Sequence, residues 1–314
     1  MSPQDKDRAF PAAPCATLPK NRGSGRYAFY FVLLFIGLFL FAFPLKALIA
    51  MSLKSQLYNY IPAIYFLSAY FLVSERGRIF SHSRHAFGCG LSVVSLSAAA
   101  AVTGLLLGAR LAPGDYLCIM AVSFWLYLTG AFITCFGLEA FSKASFPLAL
   151  LLLTVPLPSR LLSVIIVLLK TCSYKTAAWL FHLLGLFPVE QGFTFSFPPI
   201  SIKVANACSG IHSCLSLVIT ALLGGHLFLR SKLNRVWLIL CAVLIATFNN
   251  AVRIVALTLA ALYIDPDILS TAWHRYAGIP VFALAFAWLA MIVLFMQKME
   301  RRKIAPRARE GGVD

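Results

Sequence analysis

VWLILCAVLIATFNNAVRIVALTLAALY, residues 236–263, decides what kind of protein this is. Arg253 is its only charged side chain. A helix needs roughly 20 apolar residues to cross the hydrocarbon of a bilayer, and this run exceeds that. Backbone N–H and C=O groups find no partner in lipid unless the segment bonds to itself, so helix is the spanning option open to it. Working outward, runs of the same character occupy about 27–50, 56–73, 86–109, 116–138, 145–169, 207–229 and 278–297. The fold class is therefore all-α: a polytopic membrane protein of about eight transmembrane helices.

Composition agrees. Of 314 residues, 60% are apolar and 12% charged, against roughly 25% charged in a soluble domain. Water-soluble, disordered and disulfide-scaffold classes are excluded. The formal net charge of +16 would suggest nucleic acid in a soluble chain. Here the basic residues lie between apolar runs and at both ends, where they orient spans and meet anionic headgroups. No aromatic-basic motif accompanies them, so the partner is the lipid bilayer and not nucleic acid. The eight Cys form no C-x-x-C pair and sit mostly inside apolar runs, as small hydrophobes do. Neither a disulfide framework nor a metal ligand set follows, and no cofactor is implied.

With the N-terminus in the cytoplasm, two thirds of the 27 Lys and Arg fall in inside segments. That bias puts both termini in the cytoplasm. Residues 1–26, with Pro3, Pro11, Pro14 and Pro19, read as a disordered basic tail. Residues 27–297 form the transmembrane domain, and 298–314 a second basic cytoplasmic tail. The first apolar run is long and no A-x-A site trails it, so it reads as a retained span. Pro156 and Pro158 interrupt any simple span near them. The stretch 160–187 is expected to lie partly along the outer membrane surface. Residues 192–204 alternate with period 2, which makes a short outer hairpin before the next helix.

Asp and Glu are confined to loops, tails and span edges. A proton-coupled carrier usually needs a carboxylate within the bilayer, and a two-carboxylate hydrolase needs a pair. Arg253 is the exception inside a span. Its guanidinium is costly there unless it faces a wet cavity or a partner, which marks function; the alternative is a structural Arg bound to backbone carbonyls or snorkelling to the interface. Asn206-Ala-Cys208-Ser209-Gly210-Ile-His212 opens the sixth span at the outer face. A helix N-terminus there would favour a thiolate at Cys208, and Ser209 and Gly210 are small enough to admit a substrate backbone. His274, in Trp273-His274-Arg275-Tyr276 before the last span, can exchange protons near neutral pH. The topology brings Cys208, Arg253 and His274 to the same face as nucleophile, electrostatic stabiliser and proton carrier. His212, four residues after Cys208, would share its helical face. It reads as a wall residue of the site and a reserve base. With no carboxylate nearby, a metal site is the weaker use of it.

The pattern resembles the exosortase/archaeosortase family of membrane transpeptidases. The matching residues are Cys208-Ser209-Gly210-Ile211, then Asn250-Ala-Val-Arg253-Ile254, then His274, with Pro156-Leu-Pro158, Leu184-Gly185-Leu-Phe-Pro188-Val189, Gly192 and Val204 upstream. Order and spacing agree over about 145–297, the catalytic part. The resemblance implies a thiol protease and transpeptidase of the cell inner membrane, acting in protein sorting. Its substrates would be membrane-anchored proteins that end in a PEP-CTERM-like signal: a short Pro-Glu-Pro-type motif, a membrane helix and a basic tail. Cys208, Arg253 and His274 would be catalytic, and Ser209, Gly210 and Asn250 would line the substrate site; His212, read from its spacing as a further substrate-site residue, is a local feature that the family often lacks. Some relatives carry Arg at the third place, and Arg275 stands beside His274. The acceptor would be an amine or water. A non-enzymatic alternative is a membrane carrier that uses Arg253 to hold a phosphate-bearing lipid or polysaccharide precursor.

Overall fold

The computed structural model describes residues 24–80, 86–198, 200–264 and 278–304. Among the described residues, seven helices are long and apolar enough to cross a membrane, and an eighth span results if one sharply bent pair counts as a crossing. The chain divides into two compact units. One holds residues up to Leu48 and Ala63–Val155, the other Ile49–Pro62 and Pro156 onward.

In the first unit, α1 (Ser24–Leu40) meets α2 (Ala42–Lys54) at a bend of 72°. The sequence runs apolar straight through this point, but Pro44 cannot donate to the carbonyl of Leu40 and its ring crowds that oxygen. The bend leaves Pro44 in the first turn of a new helix, where a missing N–H costs nothing. After α3 (Ile61–Ser74) and α4 (Arg76–Ile79) come α5 (Phe87–Leu107) and α6 (Pro113–Lys143), an antiparallel pair in close contact. A Cβ on Gly90 would run into the backbone of Thr134, and one on Gly130 would meet Val94 at 2.8 Å. Small residues let the two backbones approach, which is how helices associate where lipid supplies no hydrophobic drive. Phe41, Phe124, Tyr127, Phe132 and Phe136 fill the core beside them. The unit ends with α7 (Ser145–Leu150) and a 3-10 turn to Thr154.

The second unit begins its main run at α8 (Ser159–Leu183). The interruption expected at Pro156 and Pro158 is present and divides the apolar run of 145–169, whereas 160–187, expected to lie partly along the outer surface, is mostly one long helix. Pro156 and Pro158 bias Val155 and Leu157 away from helix, so the chain breaks there. The whole of α8 is one unbroken helix long and apolar enough to cross. Three short strands follow, β1 (Val189–Gln191), β2 (Thr194–Phe197) and β3 (Ile200–Lys203), antiparallel in that order. The period-2 reading of 192–204 is thus borne out, with one more strand than a hairpin. Gly192 turns β1 into β2 at φ +62°. Phe195 and Phe197 of β2 are buried on the sheet's α8 face. Phe195 stacks on Tyr174 at 4.3 Å between centroids, and Phe181 meets both phenylalanines edge-on.

A 3-10 turn at Asn206–Cys208 leads into α9 (Ile211–Phe228), α10 (Lys232–Tyr263) and α11 (Gly278–Ile304). The central helix is α10, packed against α8, α9 and α11. Leu217 and Ala221 of α9, Leu238 and Ala242 of α10, and Ala285 and Leu289 of α11 form the dry core of this bundle.

Candidate functional site

The Asn206–His212 segment stands where the sheet hands over to α9. Val204 N–H donates to the carbonyl of Phe193 at 2.8 Å, which ties the end of β3 back to the β1–β2 turn. The next residues tighten into the 3-10 turn, with Cys208 N–H on the carbonyl of Ala205 and Ser209 N–H on that of Asn206. Gly210 follows at φ +75° and forms the N-cap of α9. A side chain there would be strained twice: the left-handed region disfavours a Cβ, and that Cβ would lie 2.7 Å from Cγ of Asn250. Glycine is required because the turn and α10 approach each other at this point.

Cys208 therefore sits one short turn ahead of the helix rather than within it. This corrects the expectation that Cys208 and His212 share a helical face, because the positive φ of Gly210 swings the chain between them. His212 lies in the first turn of α9, beside Gln56. It lines a polar cavity of about 230 Å³ with Gln56, Asn59, Tyr60 and Ser216.

Asn250 holds the turn from the other side. Its Nδ2 donates to the carbonyl of Cys208 at 2.9 Å. Cys208 is half-buried and packs against the cluster containing Ala251, Ile254 and Val255 of α10. Arg253 is three residues beyond Asn250, so the two lie on one face of α10. Its guanidinium reaches the start of α11: a Cβ on Gly278 would stand 3.9 Å from Cζ of Arg253. Asn249 donates to the carbonyl of Val281, one turn further into α11. The polar face of α10 thus joins the cysteine turn on one side to the first turns of α11 on the other. His274 precedes α11 by four residues and lies outside the described residues, as does Arg275.

Ser209 is 1% exposed, and its hydroxyl has no hydrogen-bond partner among the described residues. Sequence reasoning passed over Lys170, which it counted only as a flanking charge. Lys170 Nζ donates to Oδ1 of Asn206 at 3.2 Å and stands 4.0 Å from the ring centroid of Phe193. A cation four residues before Tyr174 on the sheet-facing side of an apolar helix was the available signal. Its two contacts fix the start of the cysteine turn and add a positive charge beside it.

A sequence-family profile described as transmembrane exosortase matches residues 51–291. The chain belongs to the transmembrane exosortases. The match takes in α8, the three strands and the cysteine turn, all of α9 and α10, and about half of α11. No curated protein and no solved structure matches the chain. In this exosortase the described residues form the all-α, polytopic architecture expected from its apolar runs, and the half-buried thiol of Cys208 and the guanidinium of Arg253 both belong to the second unit.

Proposed function

We propose that this exosortase is a membrane cysteine transpeptidase, with Cys208 as nucleophile, Arg253 as electrostatic stabiliser and His274 as proton carrier. The observation that carries the reading is the amide bridge from Asn250 to the carbonyl of Cys208, with Arg253 one turn along the same face. An asparagine and an arginine in an apolar helix need a reason to be there. Holding a thiol turn and stabilising charge beside it supplies one for each.

The substrate is a membrane-anchored protein ending in a sorting signal of the Pro-Glu-Pro type, a helix and a basic tail. Cys208 Sγ attacks the scissile carbonyl carbon. A C–S bond forms, the C–N bond breaks, and the amine departs with a proton from His274. Arg253 stabilises first the thiolate and then the oxyanion, strongly so in a low-dielectric site. An acceptor amine or water then gives its proton to His274 and attacks the thioester. The C–S bond breaks and the thiolate returns. The distribution of Lys and Arg supports a site on the extracytoplasmic face with both termini inside.

The test expresses Cys208→Ser beside a tagged substrate carrying such a signal. The expected outcome is full-length substrate with no cleaved form, at wild-type levels of the membrane protein. Normal processing refutes the nucleophile. It would leave the carrier alternative, which predicts that Cys208→Ala is tolerated.

A further inference from the structure

At the opposite end of α9 from the cysteine turn, the second unit contains a cavity of about 570 Å³. Three elements build it: the last turn of α9 with Leu229 and Arg230, the first turn of α10, and α11 from Gln297 to Arg301. Its charged lining is Arg230, Arg235 and Arg301 against one acid, Glu300, with His226 beside them. The acid is already committed. One carboxylate oxygen accepts from the N–H of Arg230 at 2.8 Å, the other from Ser231 N–H and from Asn234 Nδ2. Glu300 thus closes the N-terminus of α10, where a negative charge is favoured. Arg235 is held rigid, since its Nε and Nη2 both donate to the carbonyl of Leu229 at 3.0 and 2.8 Å. The cavity is left with an excess of positive charge on a fixed frame.

Its level in the membrane narrows the ligand. An 18-residue helix such as α9 rises about 27 Å, close to the thickness of the hydrocarbon layer. A cavity at the end of α9, the start of α10 and the last turns of α11 lies at the edge of that layer, where lipid phosphates sit. Basic pockets between membrane helices take anionic headgroups there, and guanidinium forks match phosphate oxygens two at a time.

We propose that this cavity binds a phosphate-bearing anion, with Arg230 and Arg301 as its ligands and Arg235 and Glu300 as its frame. The site is separate from Cys208 and stands whether or not the sorting reading does. The full chain, purified in a neutral detergent, is titrated with short-chain phosphatidylglycerol, phosphatidylcholine of equal chain length, and inorganic phosphate, with bound ligand read by native mass spectrometry. Phosphatidylglycerol is expected to bind at least about tenfold more tightly than phosphatidylcholine. Arg230→Gln with Arg301→Gln removes that margin. The control pair Lys298→Gln with Arg302→Gln makes the same change in net charge outside the cavity and keeps it. Saturable binding of inorganic phosphate that is lost in the first pair alone, without a lipid preference, assigns the site to a soluble phosphate. Equal losses in the two pairs, or no preference for any phosphate anion in the wild type, overturn the proposal.

Discussion

Two helical segments use their polar side chains in opposite ways. In α6, which kinks at Gly137, Trp125 and Tyr127 donate to the carbonyls of Leu148 and Leu33 at 2.7 and 2.8 Å. Each is an aromatic body that packs in a core and happens to carry a polar tip needing a partner. In α10, of 32 residues, Asn249 and Asn250 are 7% and 5% exposed, and both donate to backbone carbonyls of other elements. Asparagine brings little apolar area to repay its burial, so its bonds are its only return. The polar tips of α6 serve packing, whereas those of α10 serve position. Buried polarity without an aromatic payload is the better pointer to a site.

The strongest way to break this contrast is at Arg253. Arg253→Lys keeps the charge but replaces a planar fork with a point charge on a flexible stem. Processing of a tagged substrate is expected to fall by about a hundredfold or more, while melting in detergent stays near wild type. Undiminished processing would reduce Arg253 to a structural cation. Next comes Asn250→Ala, which frees the carbonyl of Cys208. Losing one partner of a buried hydrogen bond costs about 1–3 kcal/mol, and between membrane helices the cost tends to the low end. Because the bond positions Cys208, the proposed nucleophile, processing should drop about tenfold beyond what the lost stability explains. A change in melting alone would place Asn250 with the packing residues.

The sequence made most of the helices legible because the bilayer imposes one threshold, about 20 apolar residues, and the runs meet it. The strands over 189–203 were legible in part, since Phe193, Phe195 and Phe197 alternate visibly. What escaped were one bend, the extent of α8 and the contacts. The break at Pro156 and Pro158 was legible, yet the helix after it read as partly surface-lying. The bend before Pro44 was missed, because hydropathy counts a proline's neighbours and ignores its missing N–H. For the site, Cys208 and Arg253 stood out by chemistry, but the Asn250 bond to Cys208 spans 42 positions. Nothing in a pattern says which carbonyl a buried amide will find. Lys170 was hidden differently: a lysine in a membrane helix reads as an interface anchor until its partners, Asn206 and Phe193, are in place.

The smallest effect sharpens the contrast from the other side. Trp125→Phe retains most of the aromatic body and deletes only the N–H that reaches Leu148. The carbonyl of Leu148 loses one partner, and the packed ring remains, so melting should fall by an amount equivalent to about 0.5–1.5 kcal/mol. Processing per folded molecule should not change at all, because the bond ties α6 to α7 within the first unit and touches nothing around Cys208. Both variants remove a single buried donor to a backbone carbonyl, so a difference between them isolates what the carbonyl belongs to. If Trp125→Phe lowers processing as much as Asn250→Ala, the distinction between packing and positioning polarity fails, and the cysteine turn would have to be sensitive to any loosening of the helices.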